Sequence, residues 1–128
     1  MELAARVACR GFSGETAFSI SRRDVARFVA DLAALRRAES ATAQLLGGWD
    51  DSEERLRLRV TPAGRSGQFL TRVRIATTGP RSDLWHRVET EFVVPPGALE
   101  TFLAGVERLG GAGDSGEASL QGDGEIVA

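Results

Sequence analysis

The chain has 128 residues, of which 42% are hydrophobic, a formal net charge of -2 and a pI near 5.5. That length suits one domain with its own core, the apolar content excludes a disordered chain, and the near-neutral charge argues against a nucleic-acid-binding domain. No apolar run reaches the roughly 18 residues that span a bilayer, the start Met1–Arg6 carries no secretory pattern, and Cys9 is the only cysteine, so no internal disulfide can form.

Leu3, Ala5, Val7 and Cys9 alternate with Glu2, Arg6 and Arg10, which predicts a first strand with one buried face. Gly11-Phe12-Ser13-Gly14 has turn chemistry, and Thr16, Phe18 and Ile20 form the inward set of a second strand, so residues 2–20 read as a hairpin. Ser21 can cap the backbone N–H of Asp24, which can reach back in return. Val25, Phe28, Val29, Leu32 and Leu35 then recur at helical spacing as far as about Ala38. Residues 41–46 read as a short strand, and Gly47-Gly48-Trp49-Asp50-Asp51-Ser52 as a loop.

Next, Arg55, Arg57 and Arg59 alternate with Leu56, Leu58 and Val60. After a turn over residues 62–67, Phe69, Thr71, Val73 and Ile75 face inward, with Arg72 and Arg74 outward. Thr78-Gly79-Pro80 interrupts the chain. Leu84, Val88, Phe92 and Val94 mark a sixth strand, whose other face carries Trp85, Arg87, Glu89 and Glu91. Pro95 ends it and Pro96 opens a second helix, with Leu99, Phe102, Leu103, Val106 and Leu109 as its apolar stripe and Gly110 as its stop. The expected fold is α+β: an antiparallel sheet of about six strands in the order ββαββββα, with both helices on one face.

Residues 1–110 therefore form one domain, and residues 111–128 read as a tail rich in Gly and acidic residues. Its composition predicts flexibility. Leu120, Ile126 and Val127 could nevertheless pin it to the body or to a neighbouring chain, with a strand near Glu117–Gln121.

The chemistry available is narrow. All 16 Lys+Arg side chains are arginine, and Lys, Tyr and Asn are absent, a bias that fits a GC-rich bacterial gene. Without lysine there is neither a Schiff base nor a phosphate-binding loop of the Gly-x-x-x-x-Gly-Lys kind. His86 is the only histidine and falls on the inward parity between Leu84 and Val88. It reads as a satisfied histidine at the core edge, with a general base beside a carboxylate as the functional alternative. Cys9 reads as core filler. One His and one Cys cannot complete a zinc tetrad. Asp50, Asp51, Glu53 and Glu54 lack calcium-loop spacing and read as a solvated turn that discourages edge pairing. No metal, cofactor or catalytic residue is expected.

The arginines are the most informative feature. If the three strands over 55–60, 68–76 and 83–94 are neighbours, Arg55, Arg57, Arg59, Arg72, Arg74 and Arg87 share a sheet face with Trp85, Glu89 and Glu91. Guanidinium groups stack on tryptophan and clamp carboxylates in bidentate fashion. The plain reading is an open face held by cross-strand Arg–Glu pairs. The functional reading is a recognition face for an acidic partner or a second copy of the chain. Single-stranded RNA is a third option, for which one tryptophan is a poor stacking platform. The loop at Trp49, Asp50 and Asp51 is a second candidate contact.

Gly11-Phe12-Ser13-Gly14-Glu15, the helix with Val25, Phe28, Leu32 and Leu35, Leu46-Gly47-Gly48-Trp49 before an acidic loop, Leu56-Arg57-Leu58-Arg59-Val60, and Phe92 ahead of a helix carrying Leu99, Phe102 and Leu103 run in that order. Over roughly residues 3–109 this layout resembles small bacterial proteins grouped with the immunity proteins of wall-associated contact-dependent toxins. The resemblance implies a non-enzymatic role: binding a toxin domain and blocking its active site. Inhibitors of cationic nuclease toxins are expected to be strongly acidic, so an arginine face speaks against a basic nuclease as the target.

Three readings follow. The first is a cytoplasmic binding protein of the immunity type, engaging a protein but neither nucleic acid nor membrane. The second is an anion-binding protein or weak enzyme using His86 in a pocket. The third is a self-associating module, a homodimer that exchanges its tail or an edge strand.

Overall fold

The computed structural model describes residues 2–37, 42–48, 54–63, 67–78, 85–110, 119–121 and 125–127. The elements are β1 (Glu2–Cys9), β2 (Phe12–Ser19), α1 (Arg22–Arg36), β3 (Ala43–Gly48), β4 (Glu54–Pro62), β5 (Phe69–Thr78), β6 (Trp85–Val94), α2 (Pro96–Gly110), β7 (Ser119–Gln121) and β8 (Glu125–Val127). They build an α+β fold around one antiparallel eight-stranded sheet of order β6-β5-β4-β3-β2-β1-β8-β7. The first eight elements follow the expected order, and the tail adds two short strands.

β1 and β2 turn through two residues only. Arg10 (φ 48°) and Gly11 (φ 86°) both have positive φ, as a type I′ turn requires, and Cys9 pairs directly with Phe12. The expected four-residue turn over 11–14 is therefore too wide: residues 12–14 already belong to β2. The predicted inward sets hold, with Ala5, Val7, Cys9, Thr16, Phe18 and Ile20 all buried.

Ser21 caps α1, its Oγ accepting from the Asp24 N–H at 3.1 Å. The apolar stripe Val25, Phe28, Leu32 and Leu35 is buried, and Arg37 closes the helix one residue before the expected end. α2 buries Leu99, Phe102, Leu103 and Val106. The helices pack on each other where Phe28 meets Phe102 edge to face, with centroids 6.2 Å apart. An exposed ion pair, Arg36–Glu100 at 3.6 Å, also joins them. α1 lies along β3 and α2 beside β7.

The sheet folds back on itself at one corner. β2 and β3 share a single pair, Ser19 with Gly48. Beyond it the Thr16 hydroxyl of β2 donates at 2.8 Å to the Ala76 carbonyl of β5, three strands along the sheet. Gly14 lies over Val88 of β6, where an added Cβ would meet Val88 Cγ2 at 3.0 Å. At the corner itself Gly47 is pressed against the ring of Phe18. This explains why β3 spans residues 43–48 rather than 41–46: Gly47 and Gly48, expected in a loop, are the strand residues small enough to form the corner.

The tail is not simply appended. β8 pairs with β1 of the same chain, Ile126 opposite Val7, and Ile126 is 1% exposed. Ile126 is thus part of the core, and β7 forms the edge of the sheet where a strand over 117–121 is expected.

Candidate functional site

The inner faces of β3–β6 are committed to the core, so their outer faces carry the polar half of each alternation. The register brings those halves into two rows. One runs Gln44, Arg59, Arg72, Glu91; the next runs Leu46, Arg57, Arg74, Glu89. Arg57 stands directly opposite Arg74, and Arg59 opposite Arg72. Like charges placed so are destabilising, and the neighbouring side chains offset part of that cost.

Arg57 is held by Glu54, with Nε–Oε1 and Nη2–Oε2 both at 2.9 Å. Arg72 donates through Nε to Glu91 Oε1 at 2.9 Å. Arg59 donates to the neutral Gln44 Oε1 from Nε at 3.1 Å and from Nη2 at 2.9 Å, and no carboxylate among the described residues pairs with it. Arg74 is half-buried and makes no hydrogen bond or ion pair among the described residues, although Glu89 is its register partner. Arg57, Arg59, Arg72, Arg74 and Glu89 line a depression of about 100 Å³.

Four of the six predicted arginines therefore converge. Arg55 and Arg87 do not line the depression. Gly48 pairs with Glu54 and Gly47 with Leu56, so Arg55 is the extra residue of a β-bulge. The bulge shifts the parity of the strand start and places Glu54 on the Arg57 side. Glu54 was expected in a solvated acidic turn; it is an arginine clamp instead. Arg87 pairs in register with Ala76 at the far end of β6. Trp85 opens β6 opposite Thr78, and its side chain lies outside the described set, as does the whole candidate loop Trp49, Asp50 and Asp51. Gln44, Leu46 and Glu54 are the members that strand parity alone did not assign, because they enter only once β3 is known to pair with β4.

His86 is exposed, contrary to its expected place at the core edge. Its parity is that of Phe92 and Val94, which are buried at 3% and 0%, but burial fades toward the start of β6, through half-buried Thr90 and Val88. The hairpin covers this face as far as Gly14 over Val88, and nearer the hairpin turn Phe12 is itself 69% exposed. The core runs out before His86, which does not line the arginine depression. Cys9 is buried, as expected of core filler. No group of three or more His, Cys, Asp or Glu able to hold a metal occurs among the described residues, and no helix is long and apolar enough to cross a membrane.

Comparison of the chain with family models, curated proteins and solved structures returns no match.

Proposed function

We propose that this chain is a non-enzymatic binding protein that docks an acidic protein surface on the outer face of β4, β5 and β6. The observation that carries this reading is the depression lined by four arginines, in which the half-buried Arg74 makes no hydrogen bond or ion pair among the described residues. Surface arginines ordinarily gain little from ion pairs and are free to extend into water. Here two arginine pairs stand directly opposed on β4 and β5, at a cost to stability that an acidic partner would relieve. Arginine is also the charged residue type enriched where protein interfaces concentrate their binding energy. Leu46, 45% exposed beside Arg57, adds an apolar contact to the same face. Inhibition of a toxin domain in the bacterial cytoplasm is the form of this function that the resemblance to immunity proteins supplies, and the target would be acidic at the contact.

Site-specific photo-cross-linking in the producing cell tests the reading. A cross-linker at Leu46 or Glu91 should capture one acidic protein, whereas one at Ala30, exposed on α1, should not. The pair Arg57→Glu and Arg74→Glu should abolish capture with the circular dichroism spectrum unchanged. Capture from Ala30 in equal yield, or capture surviving the double substitution, would overturn it.

A further inference from the structure

Taking the acidic-partner reading as given, we infer that the depression is a carboxylate clamp, in which Arg59 and Arg74 together seat one Asp or Glu side chain of the partner. The four arginines do not stand alike. Arg57 and Arg72 are each already engaged by a carboxylate at 2.9 Å. Arg59 is positioned by a neutral amide, which orients its guanidinium without cancelling its charge. Arg74 has no partner among the described residues. These last two are diagonal neighbours on adjacent strands, since Arg57 faces Arg74 and Arg59 faces Arg72. Diagonal positions lie about 7–8 Å apart, a span that long side chains bridge from both sides. The depression they share, about 100 Å³, exceeds the roughly 10–15 Å³ that a single water needs. It accommodates the head of a carboxylate side chain.

The charge at the depression selects the kind of anion. Glu54 and Glu91 offset Arg57 and Arg72, and Glu89 stands beside Arg59 and Arg74, leaving one positive charge in excess there; Arg87, on the same face of β6, lies outside the lining. A monoanionic carboxylate neutralises that excess. A phosphate dianion would overshoot it, and Glu89, which lines the depression itself, would repel the second charge. The planar guanidinium fork also matches a carboxylate in bidentate geometry.

The test follows the Nε–Hε resonances of the arginines by NMR at low, constant ionic strength. The probes are N-acetylglutamic acid α-amide, which has one side-chain carboxylate, inorganic phosphate at pH 8, and acetyl-hexaglutamate. The clamp predicts saturable shifts of Arg59 and Arg74 with one shared dissociation constant for the carboxylate probe, and weaker binding of phosphate. R74Q should lose the shift at Arg59, whereas R27Q, an equal charge change on α1, should keep it. Tighter phosphate binding than carboxylate binding, or shifts at Arg59 and Arg74 no larger than those of Arg22 and Arg27, would overturn the clamp. If acetyl-hexaglutamate binds without moving Arg59 and Arg74, the clamp falls and the acidic-partner reading survives. If acetyl-hexaglutamate does not bind at all, both fall.

Discussion

Gly47→Ala probes the corner on which the arginine face depends. The backbone at Gly47 is paired with Leu56, which is 1% exposed, so the strand has little room to move. Phe18 is 0% exposed, and an added Cβ would fall into its ring, 2.6 Å from Cε2 and 2.9 Å from Cγ. The φ of Gly47 is not positive, so alanine is allowed there conformationally and even gains about 0.5–1 kcal/mol by restricting the unfolded chain. Against that gain stands the overpacking of a close-packed interior, typically about 1–3 kcal/mol and more where neighbours cannot give way. With both the ring and the ladder fixed, the upper part of that range applies. We expect a net loss of about 2 kcal/mol in urea-induced unfolding, with an unchanged m-value. Phe18→Leu should remove part of the clash, so the double variant should be at least about 1 kcal/mol more stable than additivity predicts. A Gly47→Ala protein as stable as the parent, or a double-mutant cycle with no coupling, would refute this account of the corner.

Three further outcomes follow from the same structure. Thr71 is 0% exposed and its Oγ1 has no hydrogen-bond partner among the described residues, so Thr71→Val should raise stability by about 1 kcal/mol, read as a higher urea midpoint. Arg74→Thr replaces a half-buried arginine opposed to Arg57 with a strand-favouring residue, and should raise stability by a few tenths of a kcal/mol up to about 1 while weakening capture of the acidic partner. Deleting residues 111–128 removes Ile126 from its place opposite Val7, which should cost about 2–5 kcal/mol, the range for losing a large buried aliphatic side chain. The deletion also bares the edge of β1, so the shortened chain should associate more than the full-length one in light scattering, not less.

The alternation of arginine with Leu56, Leu58, Val60, Val73 and Ile75 fixed which side of each strand carries charge, because period-two patterning reports the side of a strand directly. The helices were equally readable, since a serine cap, an apolar stripe at helical spacing and a proline start are local signals. Strand neighbours are not local. The pairing of Arg59 with Gln44, and of Arg57 with Glu54 through the bulge at Arg55, depends on contacts between separate segments and on one extra residue that breaks the alternation. His86 shows the opposite failure: parity named its side correctly, but parity says nothing about where along a strand the covering layer stops. The tail was legible only in part: Leu120, Ile126 and Val127 stood out as anchors, but not what they would anchor to. Its composition is that of a linker, yet Ile126 finds a place opposite Val7 that only the folded sheet creates.

The most direct measurement is the fluorescence anisotropy of a labelled ten-residue acidic peptide titrated with three proteins at low salt: the parent chain, Arg59→Glu with Arg74→Glu, and Arg22→Glu with Arg27→Glu. The two double variants carry the same net charge and differ only in which face is reversed. If the outer face of β4–β6 is the docking site, reversal of Arg59 and Arg74 abolishes binding, reversal of Arg22 and Arg27 leaves it close to the parent, and the parent's affinity falls as salt rises. Equal losses in the two variants would mean that binding tracks overall charge, and the outer face would have no special claim.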